Sequence, residues 1–292
     1  MLRSLRATLP PGLSHEIILV DDGSTDGTRK WLKSLRGQPF SIQLNESNLG
    51  YAAANNRGVA RAQGNLIVLL NNDLVLTRGW LEPMLQLHRL KLSVGVVGNV
   101  QLNFHTGVID HTGIFINAKG KPEHDRNKPD FWSSRRQVIA ATGACLLLDR
   151  VLWNDVGGFD ERFLNGGEDI DLCLKIAARG RRNFVALDST ILHHISASPG
   201  RKRRDEANTR RLTLRWRDEL IYHGARAWCQ EYVARNLTAA TAFAAPQSAL
   251  RIWAHAVGFT EKPPAIAYDS LQHAIAHELT RWRELLGDEA EM

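Results

Sequence analysis

The apolar positions of the first hundred residues switch between two periods. Ile17-Ile18-Leu19-Val20 is an unbroken apolar run rich in β-branched residues, and Leu66-Ile67-Val68-Leu69-Leu70 is a second. Runs of this length read as strands buried on both faces. Residues 40–44 and 94–100 read as further strands. Between them, residues 28–36 (with Trp31, Leu32 and Leu35 on one side), the Ala-rich stretch 51–61 and residues 80–92 read as helices. This alternation predicts an α/β fold with a mostly parallel, Rossmann-like sheet flanked by helices.

The pattern then loosens. Residues 101–136 mix short β-type runs with turn residues, and 138–148 return to a strand-like apolar run. A short helix over 150–156 stops at Gly157-Gly158, a helix over 170–179 ends at Gly180, and 183–187 form the last strand. Beyond Ser198 come the basic run Arg201-Lys202-Arg203-Arg204 and a helix-like sequence. The expected organisation is a domain over 1–205 and a helical C-terminal extension over 206–292.

Composition narrows the function classes. With 292 residues and 43% hydrophobic content, the chain can bury a core of this size. A net charge of +6 suits anionic partners, or is a plain positive surface bias. No zinc-finger spacing, basic zipper or aromatic single-strand platform supports nucleic acid as a partner. Cys145, Cys173 and Cys229 lack CxxC spacing; Cys145 and Cys173, inside apolar runs, read as core residues, and the usage fits a reducing compartment. No run approaches the ~20 apolar residues of a membrane span. The expected location is cytoplasmic, with peripheral contact at the inner face of the membrane as the further option.

Polar clusters end the two strongest strands. Asp21-Asp22 follows the first, and Asn71-Asn72-Asp73 follows the second. Ligands of open parallel sheets bind beyond the carboxyl ends of strands, so if these two strands are neighbours both clusters open into one crevice. Gathered carboxylates call for a hard cation, Mg2+ or Mn2+. Asp26 reads instead as turn and cap chemistry. A third cluster, Asn165-Gly166-Gly167-Glu168-Asp169-Ile170-Asp171, opens a helix. Asn165 and Glu168 have capping-box spacing. Asp169 and Asp171 lie roughly 200° apart around a helix, so only one can face a pocket. Asp169 is the candidate base, weighed equally against a residue that merely complements the helix dipole. His193-His194 offers an added metal ligand or an ordinary structural histidine.

These motifs, in this order between residues 16 and 198, resemble glycosyltransferase family 2 enzymes of the GT-A fold. The carrying segments are Val20-Asp21-Asp22-Gly23-Ser24-Thr25-Asp26-Gly27-Thr28, Asn48-Leu49-Gly50-Tyr51-Ala52-Ala53-Ala54-Asn55 and Leu70-Asn71-Asn72-Asp73. Thr142-Gly143-Ala144, Gly157-Gly158-Phe159-Asp160-Glu161, Glu168-Asp169-Ile170-Asp171-Leu172 and His193-His194 follow. Each alone is weak; their common register is specific.

The resemblance implies inverting, metal-dependent transfer from a nucleotide-diphosphate sugar to a saccharide or lipid-linked acceptor, in cell-surface polysaccharide or glycoconjugate synthesis. By it, Asp22 binds the donor's base, and Asn48, Gly50 and Asn55 line the nucleoside. Asn72 and Asp73 belong to the DxD equivalent, here Asn71-Asn72-Asp73, with Asp73 the main ligand of Mg2+ or Mn2+. His193 completes the metal and diphosphate site, with His194 as the alternative, and Asp169 is the catalytic base. Two departures stand out: the DxD equivalent begins with Asn, and the chain begins after the strand with which the family normally opens, so that strand is expected to be missing. The alternative function is a catalytically impaired nucleotide-sugar or glycan-binding relative in an assembly complex. The Trp-bearing C-terminal helices are expected to pack on the core, form a homodimer or touch a membrane-bound acceptor.

Overall fold

The computed structural model describes residues 1–35, 37, 39–90, 93–127, 132–194, 201–236 and 245–287, with the side chains of 201–204 outside the described set. The basic run therefore enters as backbone only. The chain divides into two compact units: residues 1–114 with 124–204, and residues 115–123 with 205–292.

In the first unit, α1 (Leu2–Thr8) precedes β1 (Ile18–Asp22), α2 (Thr28–Ser34) and β2 (Ser41–Asn45). β1 and β2 pair in parallel, with Ile18 opposite Ser41 and Asp22 opposite Asn45. Next come α3 (Tyr51–Ala60), β3 (Leu66–Leu70), β4 (Leu74–Leu76), α4 (Leu81–Arg89), β5 (Val94–Asn103) and β6 (Ile109–His111). A hairpin of β7 (Ile114–Ile116) and β8 (Pro122–His124) leads to β9 (Arg135–Val138), β10 (Cys145–Asp149), α5 (Arg150–Asp155), α6 (Glu168–Ala177) and β11 (Arg182–His193).

The central sheet runs β3-β10-β5-β11-β4, with β6 on β5 and β9 on β11. β10 is antiparallel to both β3 and β5, and β11 is parallel to β5. Hence β3, β5 and β11 point the same way, with reversed strands inserted between and beside them. Successive residues serve opposite faces, as the period of two requires. Val96, Val100, Leu146 and Leu148 pack with α3, α5 and α6 through Val59, Leu152, Leu172 and Ile176. Val94, Val97 and Leu147 pack with α1 and α4 through Leu5, Leu81, Met84 and Leu87. The sheet is thus buried on both faces, which is why its strands read as apolar runs. Each such leucine contributes about 1.5–3 kcal/mol.

β1 and β3 are not neighbours, so the condition for one crevice shared by their ends is not met. Among the described residues β1 bonds only to β2, and the edge of β3 that bonds at all takes β10. The Asp21-Asp22 end and the Asn71-Asn72-Asp73 end therefore do not meet as neighbouring strand ends; α3, packed on β1, is the connection. β11 is also longer than the expected 183–187. Hydrogen bonding continues past a bulge between Ala186 and Thr190, so His193 is the last strand residue rather than a loop residue.

The second unit holds α7 (Arg201–Arg215, counted from Asp205), α8 (Arg217–Asn236), α9 (Pro246–Ala256) and α10 (Ala265–Leu286). Leu220, Ile221, Ile252, Leu271 and Trp282 form its interior. The hairpin tip belongs here because Lys121 pairs with Glu278 at 2.9 Å and Gly120 lies against Ile275. Glu206 accepts hydrogen bonds from Arg281 at 2.6 Å and from the Trp282 indole N–H. No helix among the described residues is long and apolar enough to cross a membrane.

Candidate functional site

The first unit organises its polar residues around one short segment, Thr142-Gly143-Ala144, immediately before β10. The Ala144 carbonyl accepts the Asn71 N–H at 2.9 Å, fixing the turn that carries Asn72 and Asp73. The Gly143 N–H donates to Asp169 Oδ2 at 2.9 Å, and the Gly143 carbonyl accepts the Tyr51 hydroxyl at 2.6 Å. The Thr142 N–H donates to His111 Nε2 at 3.3 Å. Three residues thus tie the ends of β3, α3, α6 and β6 together. Gly143 must be glycine for space: a Cβ there would stand 2.8 Å from the Tyr51 hydroxyl oxygen.

Asp169 sits in the first turn of α6, half-buried. Oδ2 takes the Gly143 N–H and Oδ1 takes the Ile170 N–H at 2.9 Å. A carboxylate has about four acceptor positions, so this one is held in place with lone pairs to spare. Asp171 turns to the opposite side of the helix, fully buried, with Lys175 at 3.2 Å. Glu168 is buried and accepts the Gly166 N–H at 2.7 Å. Burial, and then the Asp169 charge, push its carboxyl up from 4.5 to about 8. The expected capping box does not form. Gly167 is the N-cap residue, in a left-handed conformation, and Asn165 (φ 59°) turns its side-chain oxygen to the Tyr51 N–H at 2.9 Å. Asn165 therefore caps α3 across the fold instead of α6 locally.

Asp73 and His193 come together through strand register. β4 pairs antiparallel with β11, placing His193 opposite Leu74, next to Asp73. His193 Nε2 lies 3.4 Å from Asp73 Oδ1, and the His194 N–H donates to the Asp73 carbonyl at 2.9 Å. His193 Nδ1 is buried without a hydrogen-bond partner among the described residues. The His194 ring stacks on Phe104 with centroids 3.7 Å apart, so of the two histidines it is His193 that faces Asp73. A carboxylate and the imidazole Nε2 that faces it are a donor set that Mg2+ or Mn2+ accepts. No group of three or more such side chains poised for a metal occurs among the described residues.

The acidic groups share surroundings. Glu168, Asp169 and Asp73 all act on the buried Tyr51 phenol, which burial and then their charges push well up. Asp169 and His193 both act on His124.

The residues expected at the nucleoside lie at the β1 end. Asp22 Oδ1 and Oδ2 each accept the Leu49 N–H at 3.0 Å; Oδ2 also takes the Gly50 N–H at 2.8 Å, and Oδ1 takes Asn45 Nδ2 at 2.9 Å. Asn48 Oδ1 accepts the Gly50 N–H as well, at 3.1 Å. Gly50 (φ 91°) is the N-cap residue of α3, and Asn55 donates back to the Tyr51 carbonyl at 2.8 Å. The close approach is permitted by Gly23 (φ 75°), where a Cβ would stand 2.5 Å from the Ser47 backbone. Asp21 is buried and pairs with Arg29 at 3.1 Å. Asn72 is exposed in its turn. Sequence reasoning passed over Tyr51 as a side chain, His111 and His124. The last two lie in the mixed region 101–136, where no periodicity marks them.

The comparisons with known proteins agree in kind. A family model described as Glycosyl transferase family 2 matches residues 1–153. An uncharacterized protein of Sinorhizobium fredii is 32% identical over 72% of this chain, and the O-antigen biosynthesis protein RfbC of Myxococcus xanthus is 31% identical over 63%. The chain spans 25% and 15% of those two proteins. The crystal structure of GalNAc-T7 with UDP, GalNAc and Mn2+ superposes with a TM-score of 0.62 at 15% identity, over 81% of this chain and 48% of that one. The fold is the α/β architecture of the GT-A type.

Proposed function

The chain belongs to glycosyltransferase family 2, and from that premise we propose that it moves a sugar from a nucleotide-diphosphate donor to an acceptor hydroxyl with inversion, Asp169 acting as base. The observation that carries this reading is the anchoring of Asp169 and of the Asp73 turn by the same three residues, 142–144. Asp169 takes the acceptor's hydroxyl proton as that oxygen bonds to the anomeric carbon. The bond from that carbon to the diphosphate oxygen breaks, and its electron pair leaves with the nucleoside diphosphate. Attack opposite the leaving group inverts the centre. The Gly143 and Ile170 N–H groups fix the carboxylate's position, which is what a concerted proton transfer requires.

A divalent cation, Mg2+ or Mn2+, held by Asp73 and His193 would supply positive charge to the departing diphosphate. The solved relative GalNAc-T7 contains Mn2+ and UDP, which supports both the cation and the nucleotide class. Asn72 sits beside Asp73 in the same turn. Asp22 serves the donor by shaping the Asn48, Gly50 and Asn55 segment through the backbone N–H groups it holds. The name of the relative RfbC supports a place in cell-surface polysaccharide synthesis. Three buried, free cysteines support a reducing compartment such as the cytoplasm.

The test is Asp169→Asn. Donor binding, read by calorimetry with Mn2+ and a panel of nucleotide sugars, is expected to stay near wild type while turnover disappears. Unchanged turnover removes Asp169 from the mechanism. Binding without turnover in the wild-type protein favours the non-catalytic binding role.

A further inference from the structure

The His111–His124 pair lies outside the donor and metal residues, yet its hydrogen bonds leave it one tautomeric state. His111 ends β6 and is fully buried. A backbone N–H can only donate, so His111 Nε2, facing the Thr142 N–H at 3.3 Å, is the bare nitrogen. The ring then carries its proton on Nδ1. His111 Nδ1 lies 3.1 Å from His124 Nδ1, so that proton is donated across, and His124 Nδ1 is bare in turn. His124 therefore carries its proton on Nε2. Adding a proton to either ring would set two N–H groups face to face. Burial, and then mutual repulsion, disfavour the charged form of His111 in the same direction.

The outer ring is placed firmly. Asp125, the next residue, exchanges backbone hydrogen bonds with Thr112 and Gly113 at 2.8 Å, and Arg136 grips its carboxylate at 2.6 Å. His124 is exposed, and its Nε2 has no hydrogen-bond partner among the described residues. Its ring is nevertheless enclosed enough for burial to lower its basicity, against the opposing pull of Asp169 and Asp110; Arg126 and His193 lower it further. Gly143, which anchors Asp169, is the neighbour of Thr142, which anchors His111, so one short segment ties the histidine pair to Asp169.

We infer that His124 is an acceptor-binding residue, offering its Nε2–H to an oxygen of a polyhydroxylated acceptor beside Asp169, with His111 as the positioning residue that fixes its tautomer. The inference rests on the transferase reading. Asp169 takes a proton from one acceptor hydroxyl, and a fixed donor nearby orients the molecule that carries it. A fixed neutral donor suits an uncharged sugar oxygen.

The test compares wild type, His124→Phe and His124→Gln with Mn2+ and a panel of nucleotide sugars. Each is assayed in water alone and with glycerol or methyl glycosides as hydroxyl probes. Donor hydrolysis reports the donor site; the ratio of glycoside formed to donor hydrolysed reports the acceptor site. His124→Phe should keep hydrolysis within about twofold and lower that ratio about tenfold, the loss of one hydrogen bond. His124→Gln, whose amide N–H can reach the position of Nε2, should recover most of it. Equal loss of both activities, an unchanged ratio, or a wild type that hydrolyses donor but never uses a hydroxyl probe overturns the inference. A wild type that neither binds nor hydrolyses any donor brings down the transferase reading, and this inference with it. Independently of turnover, two-bond 1H–15N spectra at neutral pH should show His111 as the Nδ1–H tautomer and His124 as the Nε2–H tautomer. His124 seen as Nδ1–H, or as a cation, would refute it.

Discussion

Gly143→Ala puts the whole anchoring arrangement to a quantitative test. The backbone at 143 does not have positive φ, so an L side chain costs nothing there by conformation. The cost is space. The new methyl would meet the Tyr51 hydroxyl oxygen at 2.8 Å, Cε1 at 3.2 Å and Cζ at 3.3 Å. Tyr51 is the first residue of α3, with Phe159 at 5.6 Å on its ring, so it can yield only by moving off the Gly143 carbonyl. Overpacking of about 1–3 kcal/mol and a hydrogen bond of about 1 kcal/mol together give roughly 2–4 kcal/mol. For a unit of this size that is a fall in Tm of roughly 5–15 °C. Tyr51→Phe removes the atom that the methyl strikes, and by itself leaves the Gly143 carbonyl short of a donor, at about 1–2 kcal/mol. The double variant should therefore be less destabilised than the sum of the two, by about 1 kcal/mol or more. Thermal and urea unfolding of the four proteins gives this coupling directly. A Gly143→Ala protein with the wild-type Tm, or strictly additive losses, would show that the contact is not what the geometry says.

Three further outcomes are expected. Glu168 binds a proton in the folded state up to about pH 8, whereas the unfolded chain releases it above 4.5. Its stabilising contribution is therefore complete below pH 4.5 and is lost as pH rises towards 8; Glu168→Gln should flatten the fall in urea midpoint across that window, and parallel profiles would count against it. Asp22→Asn swaps an acceptor for a donor beside the Leu49 and Gly50 N–H groups, so unfolding should become easier by about 1–3 kcal/mol, with faster amide exchange at 49 and 50. Asp73→Ala should abolish Mn2+-dependent donor binding in calorimetry, and a wild-type dissociation constant with Mn2+ would remove Asp73 from the metal site.

What could be read from the sequence was whatever local pattern specifies. The apolar run of β10 announced a buried strand because a sheet covered on both faces needs no alternation. Against the expectation of burial on both faces, β1, in its own two-stranded sheet, is mostly half-buried and β3 buries only alternate residues. The opposed directions of Asp169 and Asp171 followed from helical geometry. Other features depend on partners far along the chain. Asn165 and Glu168 had capping spacing, but a left-handed Asn165 finds the Tyr51 N–H, 114 residues away, before it finds its own helix. Whether β1 and β3 are neighbours was left open by the sequence, because strand order is set by which edges bond, and β3 bonds to β10. The histidine pair joins residues 13 apart through a hairpin, and neither ring lies in a periodic segment.

The Asp73–His193 pair is held by the pleat of a sheet, and this limits how the chain can change in length. With Ile191 kept opposite Leu76, a residue inserted after it would bring Leu192 to the place opposite Leu74, and no imidazole would stand there. Deleting Leu192 has a different result: His194 moves to that place, so the tandem histidine supplies a replacement ring, withdrawn from Phe104. Length changes at 187–189 fall in the bulge, where the ladder is already out of step. Insertions should thus be ruinous after Ile191 and Leu192 and better tolerated at the bulge, provided the buried Ser189 keeps its bond to the Trp80 carbonyl, with deletions more forgiving than insertions near the strand end. A library of one-residue insertions and deletions along this strand, sorted for cation-dependent nucleotide retention, would draw that border residue by residue.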